Sequence, residues 1–258
     1  DISAIERLYN LESLNLSGNN IKNVEPLKNL FNITSIDLSS NMINDLSPLS
    51  GLSDLESISF NDNAVLDIDA LTNLEKLKII IGRKNSIVSL NGIESLTNLE
   101  KVILDQNPIS DISGIDACRN LEELSLYKAD LKDISDIRML TNLTRLNLYE
   151  NRISDITPLM NLSRIEDLYL DKNNISNIKP LADLRTITTL SLSDNKISDI
   201  SALFKLNYIE SLDLSYNNIY NVEVLKNLVY LESLSIKDNN VSTSVVKRVV
   251  SSDVDVSN

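Results

Sequence analysis

The chain contains little of the chemistry that most active sites use. Among its 258 residues there is no His and no Trp, and Cys118 is the single cysteine. Without His the chain lacks the usual catalytic base and the commonest metal ligand, and Ser-His-Asp catalysis is excluded within it. One thiol excludes an intrachain disulfide and a thiolate zinc site. We therefore predict that the chain is not an enzyme and holds no metal and no cofactor.

The chain is also poor in positive charge, in glycine and proline, and in long apolar runs. Lys and Arg total 24 against 37 Asp and Glu, which gives a net charge of −13. This acidic excess argues against nucleic acid, whose phosphates attract Lys and Arg, and favours a partner protein with a basic surface. Five Gly and five Pro are too few for a low-complexity linker. No run approaches the roughly 20 apolar residues of a membrane helix, so we predict no membrane span.

What the chain does have is a regular repeat of 22 residues. If Leu8 is position 1 of the repeat, positions 7 and 14 are apolar in all eleven repeats, without an insertion or deletion up to Asn239. Position 12 is asparagine in ten of them, namely Asn19, Asn41, Asn63, Asn85, Asn107, Asn151, Asn173, Asn195, Asn217 and Asn239. Repeat six departs from the pattern, with Cys118 at position 1 and Ala129 at position 12. Such a strict period predicts stacked repeats.

Each repeat is predicted to form a short strand, a turn and a returning segment. Apolar residues at positions 7 and 9, such as Leu146 and Leu148, alternate with a period of two, which is typical of a strand with one buried face. The asparagine amide at position 12 can bond backbone groups in the turn that follows. Proline at position 19 limits the returning segment to extended or tight-turn geometry; it occurs as Pro26, Pro48, Pro158 and Pro180. One repeat cannot bury its own apolar face, so the repeats must stack.

This pattern resembles the leucine-rich repeat family. The period and the motif Ile-Ser-Asp-Ile at 109–112, 153–156 and 197–200 are most similar to the bacterial internalin-type subclass. The resemblance covers residues 8–249. It implies an α/β fold, a right-handed solenoid curved like a horseshoe, with a parallel β-sheet on the concave face and short 3-10 or extended segments on the convex face. It also implies a role in binding proteins, although it does not identify the partner.

The two ends of the chain depart from the complete repeat. Asp1–Ile5 matches Asp199–Leu203, so we expect residues 1–7 to be the end of a preceding, truncated repeat in a longer protein. Eleven repeats then occupy residues 8–243. At Ser244 a polar residue replaces the aliphatic one of position 17. We therefore expect residues 244–258 to be a decayed repeat that forms a C-terminal capping segment and a polar tail.

The outward positions 6, 8 and 10 of the predicted strands differ between repeats. The first three and last three repeats carry almost only Ser, Thr, Asn and Asp there, whereas repeats four to eight carry Ile, Tyr, Arg, Lys and Glu. Tyr and Arg are enriched in binding hot spots. We therefore predict a protein-binding patch on the concave face of repeats four to eight. Its apolar members are Ile79, Ile81 and Ile103, its aromatic members Tyr127, Tyr149 and Tyr169, and its charged members Arg83, Lys101, Arg145, Glu123, Asp105, Asp167 and Asp171.

Structural explanations of the same residues stay open at this point. Tyr and Ile favour strands, and the three tyrosines could pack across neighbouring strands without a ligand. Gly82 stands at the normally buried position 9, and a bulge could turn Ile79 or Ile81 inward to fill the gap. Aspartates at position 16 form a file along one edge, consisting of Asp111, Asp133, Asp155 and Asp199. One carboxylate per repeat does not converge as a calcium site requires, so we expect these residues to be solvated and to favour turns.

The sequence thus favours a non-enzymatic recognition module, monomeric and part of an internalin-like bacterial surface or secreted protein. The alternative is a cytoplasmic regulatory scaffold, because the phosphatase-1 regulator subclass of the family shares the 22-residue period. That subclass usually lacks the proline at position 19. A spacer without a ligand fits poorly, because the central and terminal repeats differ so clearly in the chemistry of their outward residues.

Overall fold

The computed structural model describes residues 1–257 of the chain. The chain divides into two compact units, Asp1–Asp130 and a second unit that begins at Leu131. In each unit, short parallel strands alternate with short 3-10 segments at an interval of 22 residues. This arrangement confirms the predicted α/β solenoid of stacked repeats with a parallel sheet.

The first unit contains a parallel sheet built from positions 6 to 8 of its repeats. Its strands are β1 (Ser13–Asn15), β2 (Ser35–Asp37), β3 (Ser57–Ser59), β4 (Ile79–Ile81), β5 (Lys101–Ile103) and β6 (Glu123–Ser125). Each strand pairs with the next at an offset of 22 residues, so that every residue lies beside its own equivalent in the following repeat. Equivalent positions therefore form straight columns along the sheet.

The second unit repeats the same organisation. Its strands are β7 (Arg145–Asn147), β8 (Asp167–Tyr169), β9 (Thr189–Ser191), β10 (Ser211–Asp213), β11 (Ser233–Ser235) and β12 (Asp255–Ser257). Strand β12 pairs in parallel with β11 and places Val256 beside Leu234. The repeat register therefore continues into the segment that the sequence predicts as a polar tail, because Val256 supplies the apolar residue of position 7.

Single 3-10 turns return the chain between strands. They are η1 (Ser3–Ile5), η2 (Glu25–Leu27), η3 (Ser47–Leu49), η4 (Asp69–Leu71), η5 (Ile93–Ser95) and η6 (Ile115–Ala117) in the first unit, and η7 (Ser135–Met139), η8 (Thr157–Asn161), η9 (Lys179–Leu181), η10 (Ser201–Lys205) and η11 (Glu223–Asn227) in the second. Prolines 26, 48, 158 and 180 lie in the first turn of their segments, where their fixed φ fits the turn. Helix α1 (Thr243–Val249) buries Val246 and precedes β12.

The asparagines at position 12 connect each repeat to the one before it. Asn63 Nδ2 donates to the carbonyl oxygens of Phe60 and Asn61 in its own repeat, and to that of Leu38 in the preceding repeat at 3.0 Å. Its Oδ1 accepts from the backbone N–H of Ile43 at 2.8 Å. The same bonds to the preceding repeat recur at Asn41, Asn85, Asn107, Asn173, Asn195, Asn217 and Asn239. The predicted role of this amide is confirmed.

The core consists of the apolar positions of the repeats. Leu and Ile side chains at positions 1, 4, 7, 9, 14, 17 and 20 are almost all buried. Cys118 takes the place of Leu at position 1 and is fully buried, with its Sγ 3.3 Å from the carbonyl oxygen of Ile93. Burial raises the pKa of this thiol to about 12. Cys118 is therefore a small core residue with little thiolate character.

Candidate protein-binding surface

Side chains at positions 6 and 8 leave the strands on the side opposite the core, and position 10 follows two residues after each strand on the same side. We call the surface that these three positions form in each unit its sheet face. In the first unit, Ile79 and Ile81 are half-buried on the sheet face, while Ile80 between them is fully buried. Strand β4 pairs in regular register with β3 and β5. The structure therefore has no bulge at β4, and both isoleucines point outward.

Ile103 behaves differently from the expectation. It lies between Ile81 and Ser125 in the sheet register, and only 3 % of its surface is exposed. Packing against its neighbours across the strands accounts for this burial. The expectation that Ile103 supplies apolar contact area is therefore corrected, because this side chain is buried among its neighbours on the sheet face and has almost no exposed surface.

Asp105 is also buried, with 6 % of its surface exposed, and both of its carboxylate oxygens accept hydrogen bonds. Its Oδ1 accepts hydrogen bonds from Ser125 Oγ and, at 3.0 Å, from the backbone N–H of Tyr127. Its Oδ2 accepts from Arg83 Nε at 2.9 Å. Asp105 thus positions both the guanidinium of Arg83 and the backbone of the half-buried Tyr127, rather than meeting a partner itself.

Ion pairs across neighbouring strands fix the remaining charged side chains. Lys101 Nζ lies 2.6 Å from Glu123 Oε2 in the first unit. In the second unit, an Arg145 guanidinium nitrogen lies 2.6 Å from Asp167 Oδ2. All four residues occupy position 6 of successive repeats within their units. These pairs are partly exposed and add little stability, but they hold long side chains in defined places on the sheet face.

Two of the predicted tyrosines come together in the second unit. Tyr149 and Tyr169, with Asn147 and Asp171, line a shallow pocket of about 300 Å³ on the sheet face. Lys172 Nζ lies 5.3 Å from the centroid of the Tyr149 ring, in a cation–π contact. Partial burial, together with the negative charge of Asp167, raises the pKa of the Tyr169 hydroxyl above its ordinary value. The pocket therefore combines two aromatic rings with an amide and a carboxylate.

Asp171 forms one wall of this pocket and is 7 % exposed. Its Oδ1 accepts hydrogen bonds from Ser191 Oγ, from Ser193 Oγ at 2.8 Å and from the backbone N–H of Ser193 at 3.1 Å. These serines occupy positions 8 and 10 of the next repeat, and sequence reasoning missed their supporting role. The spacings of 20 and 22 residues from Asp171 are the signal that could have found them.

Large exposed aromatic residues also occur away from the sheet face. Tyr208 and Tyr230, at position 3 of successive repeats, stack with ring centroids 5.5 Å apart and an interplanar angle of 11°. Phe204 is exposed on η10, four residues before Tyr208. These residues stand outside positions 6, 8 and 10, so the pattern of outward strand residues does not reveal them.

The aspartates at position 16 accept hydrogen bonds from the backbone N–H groups two residues further on. Asp111 Oδ1, for example, accepts from the backbone N–H of Ser113 at 2.9 Å and from its hydroxyl at 2.6 Å, which fixes the turn. Within residues 1–257, no group of three or more Cys, Asp or Glu side chains is placed to hold a metal ion. None of the helices in that part of the chain has the length and hydropathy to cross a membrane.

Stacked 22-residue repeats, a parallel sheet and turns bonded by asparagine define a leucine-rich repeat protein. The family model described as "Leucine Rich repeats (2 copies)" matches residues 9–51 and 119–161, and that described as "Leucine rich repeat" matches residues 163–219. The crystal structure of the internalin inlF from Listeria monocytogenes is 32 % identical, and the match covers 98 % of this chain and 78 % of that one at a TM-score of 0.93. The chain therefore belongs to the internalin family of leucine-rich repeat proteins.

More distant structures share the fold alone. The functional domain of InlJ from Listeria monocytogenes is 24 % identical, with 91 % of this chain and 50 % of that one covered and a TM-score of 0.82. The leucine-rich repeat protein FLRT2, solved in an octameric complex with Latrophilin 3 and Unc5D, is 22 % identical over 97 % of this chain and 84 % of that one, with a TM-score of 0.78. Among curated proteins, no match is found.

Proposed function

We propose that this protein is a non-enzymatic recognition module that binds a partner protein through its sheet face. We place it on the bacterial cell surface or among secreted proteins, as a monomer. Membership of the internalin family supports the general role. The FLRT2 complex supports it further, since there a leucine-rich repeat protein of the same fold is assembled with other proteins.

The observation that carries the proposal is the pocket between Tyr149 and Tyr169. Two half-buried aromatic rings at a pocket offer a large contact area with few rotatable bonds, which is the property of hot-spot residues. Neighbouring side chains are already held in place, as the Arg145–Asp167 ion pair shows. A surface ordered before binding loses little conformational entropy on binding.

The sheet face of the first unit offers a second set of contacts. Ile79 and Ile81 provide apolar area, and Tyr127 provides an aromatic ring. Arg83, Lys101 and Glu123 are held by ion pairs. Asp105 and Ile103 are buried and act as supports, whereas Asp171 is largely buried but lines the pocket. The contact set that we propose is therefore Ile79, Ile81, Arg83, Lys101, Glu123 and Tyr127 on the first unit, and Arg145, Tyr149, Asp167, Tyr169 and Asp171 on the second.

The charge of the chain favours one kind of partner. A net charge of −13 produces a negative potential that accelerates encounter with a positively charged surface and is weakened by salt. The proposed partner is therefore a protein with a basic binding surface.

A comparative capture experiment tests the proposal. Three baits are used: the natural chain, a sheet-face variant with Tyr127→Ser, Tyr149→Ser and Tyr169→Ser, and a control variant with Tyr208→Ser, Tyr220→Ser and Tyr230→Ser. The control removes the same number of tyrosines from exposed positions outside the sheet face. Circular dichroism and thermal unfolding verify that all baits are folded.

Each bait is exposed to extracts of host cells and of the producing organism, and retained proteins are identified by mass spectrometry. The proposal predicts a protein that is retained by the natural chain and by the control variant but lost by the sheet-face variant. If the folded sheet-face variant retains the same proteins as the natural chain, the sheet face is not the binding surface.

A further inference from the structure

Asp105 and Asp171 occupy the same position 10, in repeats five and eight, and are anchored in the same way. Each uses Oδ1 to accept from the serine hydroxyl 20 residues further on and from the backbone N–H 22 residues further on. Each side chain is more than nine-tenths buried. The two carboxylates are therefore two copies of one structural arrangement.

The second oxygen distinguishes the two carboxylates. Asp105 Oδ2 accepts a hydrogen bond from Arg83, which stands at position 10 of the preceding repeat. At the corresponding place before Asp171 the chain has Tyr149, and in the described part of the chain Asp171 Oδ2 receives no hydrogen bond. The first unit thus supplies its own guanidinium, whereas the second presents the same carboxylate in an open pocket between two tyrosines.

We propose that the pocket formed by Asn147, Tyr149, Tyr169 and Asp171 binds the guanidinium group of an arginine side chain on the partner protein. This inference rests on the proposed function and specifies the partner's chemistry at that surface. Asp171 accepts the N–H donors of the guanidinium through Oδ2, as Asp105 does for Arg83. The tyrosine rings provide faces against which the planar guanidinium stacks.

The chain itself shows that its tyrosine rings hold cations. Lys172 lies 5.3 Å from the Tyr149 centroid, and Lys237 lies 5.7 Å from that of Tyr216. Arg145, at position 6 of the same sheet face, is paired with Asp167. An arginine suits the pocket better than a lysine, because its planar and weakly hydrated guanidinium can stack on a ring while an N–H group donates to Oδ2.

The test is a titration of the full chain with small peptides, followed by backbone amide NMR. The probe is acetyl-Gly-Arg-Gly-amide, and the matched control is the same peptide with citrulline, which keeps the shape and loses the charge. We expect saturable shifts of the Ser191 and Ser193 amides with a Kd on the order of 1–10 mM, as befits a single side chain. Citrulline binding is expected to be at least about tenfold weaker, and the arginine Kd is expected to rise with salt.

Two variants separate recognition from folding. Tyr149→Arg recreates the arrangement of Arg83 and Asp105, so the new side chain should occupy Asp171 Oδ2 and abolish peptide binding while the fold is retained. The matched control Tyr220→Arg adds the same side chain at an exposed position outside the sheet face and should bind the peptide within about twofold of the natural chain. Retained dispersion of the amide spectrum verifies that both variants are folded.

The inference is overturned if the natural chain shows no saturable shift at these serines, if citrulline binds as well as arginine, or if Tyr149→Arg binds like the natural chain. These outcomes are distinct from failure of the proposed function. If a partner protein is captured through the sheet-face tyrosines but the arginine peptide does not bind, the arginine inference is wrong and the proposed function stands. If the arginine peptide binds but no partner protein depends on the tyrosines, the proposed function is wrong instead.

Discussion

The ring of Phe60 fills the space that a side chain at Gly82 would occupy. A Cβ added to Gly82 would lie 2.3 Å from a Phe60 ring carbon, and Phe60 is fully buried. Both residues stand at position 9, in neighbouring repeats, where almost every other repeat has leucine. One oversized and one absent side chain therefore complement each other, and β4 keeps its register with Ile79 and Ile81 pointing outward.

This complementarity predicts strong coupling between the two positions. Gly82→Leu alone should destabilise the fold by about 3 kcal/mol, because the new side chain collides with the ring. Phe60→Leu alone should cost about 1–2 kcal/mol, because it leaves a cavity. The double variant restores leucine at both positions and should lie within about 1 kcal/mol of the natural chain. Urea unfolding of all four proteins measures this cycle, and additive losses in the double variant would refute the pairing.

The missing asparagine of repeat six offers a stabilising substitution. Because Ala129 stands at position 12, no asparagine Oδ1 accepts from the backbone N–H of Ile109, as Asn63 does for Ile43. Ala129→Asn should raise the free energy of unfolding by about 1–2 kcal/mol through these restored hydrogen bonds. The matched reverse change, Asn63→Ala, should lower it by about 3 kcal/mol. Thermal and urea unfolding test both, and an Ala129→Asn protein no more stable than the natural chain contradicts this reading.

The turn aspartates predict how stability depends on pH. Hydrogen bonds from the following Ser or Thr lower the pKa of four position-16 carboxyls. The hydroxyl contributes most at Asp111 and Asp155, and the backbone N–H most at Asp45 and Asp199. Since the folded pKa lies below the unfolded value of about 3.9, this stabilisation is complete above about pH 4. It is lost as the pH falls through the folded pKa values.

A fourfold Asp→Asn variant at these positions keeps the acceptor and removes the titration. Asparagine already performs this role in three repeats, where Asn23, Asn177 and Asn221 accept from the residue two positions on. The variant should lose less stability than the natural chain between about pH 4 and pH 2. Urea midpoints measured across this range decide the point, and identical pH profiles would count against the assignment.

Much of the fold follows from the sequence, and less of the surface does. The 22-residue period placed the strands, the turn asparagines and the core columns, because each depends only on repeat position. Burial of Ile103 and Asp171 could not be predicted, since it depends on which side chains stand beside them in neighbouring repeats. Strand β12 was missed because Val256 is one of only two valines, with Val254, in an otherwise polar segment.

The buried thiol gives a simple test of core integrity. Cys118 is fully buried with its pKa raised to about 12, so a thiol reagent at neutral pH should label the native chain at least about a hundredfold more slowly than the urea-unfolded chain. Mass spectrometry follows the labelling over time. Rapid labelling under native conditions would mean that repeat six opens locally.

Site-specific photo-crosslinking decides whether the partner protein binds at the sheet face. A benzophenone amino acid is placed at Tyr169 in the pocket and, in a matched control, at Tyr230, which is exposed outside the sheet face. The chains are irradiated in host-cell extract. Binding through the sheet face predicts a covalent adduct with one partner protein from position 169 and none from position 230. An adduct from position 230 alone would contradict it, because binding would then occur away from the sheet face.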